Sequence, residues 1–473
     1  METSNYIKTK RLFKDVYFFS IATFGSKILM FLLTPMYTAL LTTEEYGIAD
    51  LITITINLAY PLLTLSIAES TLRFSLDTKE DNRKVFSISI LFTVASVLLL
   101  LCFYPVLNLF DVIYREYWVV FIITYLLINV HNTFSYFVKG IGKTKVFAVQ
   151  GIVFTGVFVV LNIVFLLIFK WGLNGYLWST IISYIVSILI MFFWGGLYRY
   201  FKNFEIDSDL LKKMLKYSIP MIPVLLGTLI NNNIDKYMII GMVNLGESGI
   251  YSVAHKIPSI YTAVLSVFVQ AWQISAIENN DDADQSGYFT SVYRGADLLG
   301  IIGCILIIMS SKGLASFLFS SDFYIGWKYV PMLIIAAMFM GNANILSAAY
   351  RAEKNTVPLF VSVAIGCGLN IFLNIAFIYF LGALGAAIAT AISSFVIWLI
   401  RMIFVQKILK IDISVISVVI SYIILFICAL VTMYEASFWL ACCALGLTVI
   451  LGVNSKEIIH LLKATTRFLK KRI

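Results

Sequence analysis

Along this chain, apolar runs of about 20 residues alternate with short polar segments from Phe13 almost to Gly452. A bilayer core of ~30 Å takes about 20 apolar residues to cross as an α-helix. A transmembrane barrel would instead show alternating segments of about ten residues, and these runs do not alternate. The pattern predicts an all-α, polytopic membrane protein with fourteen spans, at 13–41, 47–68, 85–110, 117–138, 146–169, 173–198, 217–243, 249–276, 291–310, 329–350, 357–380, 383–406, 412–433 and 436–453. Basic residues precede the first run (Lys8, Lys10, Arg11, Lys14), but it is too long for the apolar part of a signal peptide and lacks a small-residue cleavage site. It is expected to stay attached.

Composition agrees: 60% of the 473 residues are hydrophobic and 13% charged, with a mean hydropathy of +0.91. Charge adds the orientation. With the N-terminus in the cytoplasm, 28 of the 35 Lys and Arg fall on inside segments or adjoining helix ends, and four (Arg115, Lys170, Lys312, Lys328) fall outside. That asymmetry follows the positive-inside rule and puts both termini in the cytoplasm. The net charge of +9 is spread over short loops as a topology and lipid-surface signal, so no nucleic-acid partner is expected. The tail 454–473 mixes apolar and basic residues as an amphipathic helix on the membrane surface does. All six cysteines lie in apolar spans without a CxxC pair or a nearby histidine, which implies neither disulfide nor zinc.

A repeat organises the chain. TTEEYGIADLI (Thr42 to Ile52) aligns with NLGESGIYSVA (Asn244 to Ala254) at a displacement of 202 residues. The segment holding Asn162, Gly172, Gly175 and Thr180 aligns with that holding Asn374, Gly382, Gly385 and Thr390, displaced by 210 to 212. Six helices separate the copies, an even number, so they share one polarity and form a parallel repeat. The expected domains are an N-terminal six-helix lobe (1–198), a cytoplasmic linker (199–216), a C-terminal six-helix lobe (217–406), two extra helices (407–453) and the tail (454–473). In repeat-built transporters the substrate site lies between the copies, and rocking exposes it to each side in turn. The linker is polar and long enough to tolerate such motion.

LLTPMYTALLTTEEYGIADLI, NNNIDKYMIIGMVNLGESGIYSVAHKIPSIY and AAYRAEKNTVPLFVSVAIGCGLNIFLNIAFIYFLGALGAAIATAIS resemble recurring segments of the Wzx-type polysaccharide repeat-unit flippases. These belong to the multidrug/oligosaccharidyl-lipid/polysaccharide (MOP) exporter superfamily. The resemblance covers about Leu12 to Gln406. It implies a V-shaped, MATE-like two-lobe fold with two extra helices, the bacterial cytoplasmic membrane, and an oligosaccharide cargo carried on undecaprenyl diphosphate.

Charges inside the spans are the candidate chemistry. Lys236 and Lys256 each lie ten residues from Gly246, at one depth on neighbouring helices, and Lys27 lies near the middle of the first span. Against lipid each would cost a few kcal/mol or more, so all three should face the bundle interior or an aqueous cavity. A cationic cavity suits a diphosphate or an acidic sugar. Asn232 and Ser252, four residues before Lys236 and Lys256, put a hydrogen-bonding group for sugar hydroxyls on each lysine's face, and Asp50, Thr53 and Asn57 form a similar stripe. Asp235 is a candidate for proton or sodium coupling or for charge balance, the plainer reading being an ion pair with Lys256 or Lys27. Glu69 and Arg73 have the spacing of an i,i+4 pair, with Arg73 also placed to meet an incoming phosphate, and Arg294 with Asp297 has the same plain reading. His131 and His255 each stand between a group that titrates near neutral pH and a hydrogen-bonded packing residue, the second being the plainer reading.

Two motifs imitate enzymes. GIGKTK (Gly140 to Lys145) lacks the P-loop's first glycine, since Phe137 stands there, and the Asp282-Ala283-Asp284 spacing of NDDADQ has no soluble catalytic domain around it. A membrane polymerase or ligase would need a sizeable external loop, and none is present. A MATE-type drug antiporter would favour a carboxylate-lined cavity over lysines. The expectation is a flippase, not an enzyme and without a cofactor, that moves an undecaprenyl-diphosphate-linked oligosaccharide to the outer leaflet by alternating access. Its partners would be membrane lipids and polysaccharide polymerase and assembly proteins.

Overall fold

The computed structural model describes residues 28–77, 80–102, 116–202, 204–278, 285–352, 357–412, 414–435, 437–455 and 458. Among these, regular structure is helical throughout. The α-helices are α1 (Thr34–Leu40), α2 (Thr43–Leu63), α3 (Ile67–Ser75), α4 (Asn82–Cys102), α5 (Trp118–Gly140), α6 (Thr144–Asn162), α7 (Gly172–Phe193), α8 (Ser208–Ser218) and α9 (Met221–Met242). They continue with α10 (Leu245–Ala254), α11 (Lys256–Glu278), α12 (Gln285–Leu318), α13 (Val330–Ala352), α14 (Val357–Leu381), α15 (Ala383–Val405), α16 (Val415–Met433) and α17 (Trp439–Val453). Among the described residues, ten helices are long and apolar enough to cross a membrane, or up to twelve if each of two bent pairs is one span. Two shorter apolar helices, Ile28–Leu40 and Trp439–Val453, stand where the first and last spans are expected.

Two compact units divide at Ile234/Asp235, inside α9. In the N-terminal unit, Ile52, Ile56, Phe121, Tyr125 and Leu177 form one core cluster from α2, α5 and α7. In the C-terminal unit, the ring of Phe339 on α13 packs 5.0–5.6 Å from those of Phe395, Trp398 and Tyr422, which joins α13, α15 and α16.

Corresponding local devices recur in the two units. The side chain of Thr42 accepts a hydrogen bond from the Glu45 N–H and caps α2; Asn244, 202 residues later, accepts from the Glu247 N–H and caps α10. Gly172 (φ 54°) and Gly382 (φ 60°) both make the left-handed turn into a helix, a conformation that a Cβ would strain.

Two expected spans are broken. The second divides into α2 and α3 because Leu65 and Ser66 adopt left-handed φ values of 51° and 52°, and Ser66 Oγ donates to the Pro61 carbonyl at 3.3 Å. Such a conformation costs about 1–2 kcal/mol per non-glycine residue. The eighth divides at His255, where Leu245–Ala254 and Lys256–Val269 meet at 40°. Pro258 explains this break: it has no N–H to continue the ladder and its ring crowds the carbonyl four residues back.

The polar linker contains a packed helix. Asp207 caps α8 by accepting from the Asp209 and Leu210 N–H groups, and Lys84 Nζ lies 3.0 Å from Asp207 and 3.4 Å from Glu205. Leu210 and Met214 then bury against Ile67, Val85 and Ile88. The GIGKTK segment is a turn in which Gly142 takes φ 76° and Lys143 Nζ donates to the Gly195 carbonyl at 2.7 Å.

Candidate functional site

The apolar face of α9 is interrupted by Asp235, which is 3% exposed. Its Oδ2 accepts hydrogen bonds from Tyr251 OH on α10 at 2.9 Å and from Thr390 Oγ1 on α15 at 2.5 Å. Oδ1 accepts from Asn374 Nδ2 on α14 at 2.9 Å. The same amide donates to Asn370 Oδ1, one turn earlier, at 2.9 Å, while Asn374 Oδ1 is buried and has no partner among the described residues. Four helices therefore converge on one carboxylate through neutral donors.

Of the plainer expectation for Asp235, the ion pair with Lys256 is not formed, while Lys27 lies outside the described residues. Among the described residues no lysine pairs with it, and neutral dipoles disperse its charge instead. The oxygen set has no further acid: no group of three or more metal-ligating side chains occurs among the described residues. What remains is a single buried carboxyl held by two hydroxyls and one amide nitrogen.

The other expected site residues differ in exposure and in partners. Lys27 lies outside the described residues. Lys236 is half-buried next to Asp235, and its carbonyl accepts from Ser248 Oγ at 3.4 Å. Lys256 is half-buried and opens α11 at the break, where the helix dipole is positive. Ser252 is buried, whereas Asn232 is exposed, as are Thr53 and Asn57 on α2. Arg73 is exposed on α3 and is not paired with Glu69, which accepts from Tyr136 OH at 3.0 Å. An i,i+4 spacing makes such a pair possible, but the tyrosine on α5 competes for the carboxylate and wins. His131 is half-buried, 3.0 Å from Gln150 Oε1, and His255 stacks edge-on against Tyr251 at 4.8 Å.

Asn370, Asn374, Thr390 and Tyr251 were not picked out from sequence as site residues. One signal for them exists: Asn370 and Asn374 lie four apart, on one face of an otherwise apolar span, where an amide needs a buried partner.

A family model described as "Polysaccharide biosynthesis protein" matches residues 12–273, more than half of the chain. The chain belongs to this family. The fold is that of the MOP superfamily transporters. The structure titled lipid II flippase MurJ, inward closed conformation, superposes with a TM-score of 0.69 at 19% identity, covering 94% of this chain and 99% of that one. A multidrug-resistance MATE transporter in its inward-facing conformation gives 0.66 at 14% identity, over 82% and 97%. A MOP superfamily transporter from Pyrococcus furiosus, whose title describes a binding pocket of reversed polarity, gives 0.59 at 14% identity, over 83% and 95%. No curated protein matches the chain.

Proposed function

We propose that this member of the polysaccharide biosynthesis family is a flippase that moves an undecaprenyl-diphosphate-linked oligosaccharide from the cytoplasmic to the outer leaflet by alternating access. The family match over residues 12–273 is the observation that carries this reading. A fold shared with a protein titled a lipid II flippase supports a lipid-linked cargo. Lys27, Lys236 and Lys256 attract the diphosphate or an acidic sugar, Arg73 meets it at the cytoplasmic end, and Asn232 and Ser252 bond the glycan hydroxyls. Lysine suits this task as a hydrated point charge that can release phosphate as well as hold it. Asp235, caged by Tyr251, Asn374 and Thr390, is the coupling group: taking up a proton or a monovalent cation would neutralise it and change how four helices are held.

The test is translocation of a fluorescent undecaprenyl-diphosphate oligosaccharide in proteoliposomes, with wild type compared with Lys236→Ala and Lys256→Ala and folding checked by monodisperse purification. Movement by wild type and loss of at least tenfold in the variants is expected. Normal movement by both variants would remove the lysines from the mechanism. The buried carboxylate and the MATE-like fold favour one second reading, a cation-coupled drug antiporter. It would show as an inert wild type that exports a cationic dye.

A further inference from the structure

In the C-terminal unit, α16 and α17 meet over three cysteines. Cys428 on α16 and Cys443 on α17 are fully buried, and Cys442 is half-buried. The Cys443 thiol donates to the Cys428 carbonyl at 3.9 Å, across 15 residues of sequence. Its sulfur also lies 3.6 Å from Thr432 Oγ1, which donates to that same carbonyl at 2.7 Å. The Cys428 side chain is within hydrogen-bonding reach of both Cys443 and Cys442. No CxxC spacing announces this group, because the helical hairpin brings its members together.

A glycine sets how closely the two helices seat. Gly446 lies three residues beyond Cys443, on the same face of α17. A Cβ there would stand 2.8 Å from Ile424 Cγ2 and 2.9 Å from Cys428 Sγ, closer than a Cβ atom tolerates. Helix axes ordinarily pack about 8–10 Å apart, whereas a disulfide needs its Cβ atoms at about 3.5–4.5 Å, so close seating at a glycine is the arrangement that suits one. Depth matters as well. Cys428 stands five residues before the end of α16 and Cys443 four after the start of α17, which puts both about 6–8 Å along the helices from the turn between them. In the expected orientation that turn is on the outer side, away from the cytoplasmic reductants that keep thiols reduced.

We propose that Cys428 and Cys443 are a redox-active pair that hydrogen peroxide converts to a disulfide joining α16 to α17. The sulfur of one thiol attacks the peroxide, the O–O bond breaks, and a sulfenic acid and one water form. The second sulfur then displaces that hydroxyl, the S–S bond forms, and the hydroxyl leaves with the second thiol's proton as water. The two thiols give up two electrons and two protons, and one peroxide becomes two waters. A small, uncharged oxidant suits a site walled by apolar helices. Cys442 is the competing partner for Cys428; the burial of Cys443 and its contacts with the Cys428 carbonyl and Thr432 favour the pair named. Once formed, the bond holds α17 to α16, and the hairpin moves as one piece.

The test uses the full chain in phosphatidylethanolamine/phosphatidylglycerol vesicles, treated with hydrogen peroxide, denatured, alkylated and digested without reductant by trypsin and a glutamate-specific protease. Digestion yields peptide 411–435, whose one cysteine is Cys428, and peptide 436–456, which holds Cys442 and Cys443. The expected result is a cross-linked pair of these peptides that dithiothreitol separates, that Cys442→Ser retains and that Cys443→Ser loses. Tandem mass spectrometry of the wild-type cross-link, which reads whether residue 442 or 443 carries it, keeps the test decisive should Cys443→Ser fail to fold. Cys428 recovered alkylated, or either sulfur recovered as sulfinic acid in place of the bond, would overturn the pair, and a cross-link carried by Cys442 would overturn the assignment of Cys443. No lipid cargo is involved, so failure here is distinguishable from failure of the flippase reading.

Discussion

At the scale of single residues, Asp235 shows how a charge is kept inside an apolar bundle. Three neutral donors on three other helices hold it, and each hydrogen bond to a charged group contributes about 1.5–3 kcal/mol. Removing the acceptor is costlier than removing one donor. Asp235→Ala strands the Tyr251 hydroxyl in a buried site, leaves the Asn374 amide with Asn370 alone and should destabilise by more than the ~1–3 kcal/mol of one orphaned group, whereas Tyr251→Phe should lose no more than about that amount. Thermal unfolding in detergent, followed by tryptophan fluorescence, would rank them, and equal stability of all three proteins would refute the cage. Asp235 was conspicuous in the sequence because a charge in an apolar run has few explanations. Its partners were not, because Asn, Thr and Tyr occur in many spans and nothing local says which of them meet.

At the scale of elements, caps and breaks were written locally while docking was not. The Thr42/Glu45 capping box and the Asn244 cap are short-range chemistry, so Asn244→Ala should cost about 1 kcal/mol and raise amide exchange in the first turn of α10. The linker differs. Its polar composition suggested a loop free to move, yet α8 presents Leu210 and Met214 to the N-terminal unit and is tied at Asp207. The hydrogen bond from Lys84, followed by the Leu210 and Asp209 N–H groups, holds the Asp207 carboxyl below its ordinary value. A depressed value means that this contribution is complete above the ordinary value of about 4 and is lost as pH falls through the lower folded one. Docking of α8 should therefore be unchanged between pH 5 and 8 and loosen only in stronger acid, as limited proteolysis of the linker would reveal. Asp207→Ala should bring the same proteolytic sensitivity at neutral pH.

At the scale of the whole molecule, proteoliposome translocation decides the cargo and the lysine variants decide the path. Helical class and the placing of apolar spans were legible because a bilayer demands long apolar runs with internally satisfied backbones, a constraint that acts residue by residue along the chain. The parallel repeat was legible for a similar reason, since cap and turn residues such as Thr42, Asn244, Gly172 and Gly382 recur at fixed displacements. Tertiary structure alone decided which polar groups meet. Glu69 takes Tyr136 rather than Arg73, Asp235 takes Tyr251, Asn374 and Thr390 rather than Lys256, and Asp297 takes Asn342 and Tyr422. The physical reason is common to all three. Inside a bundle a carboxylate is satisfied by whatever donor packing brings within about 3 Å, and helices far apart in sequence supply those donors.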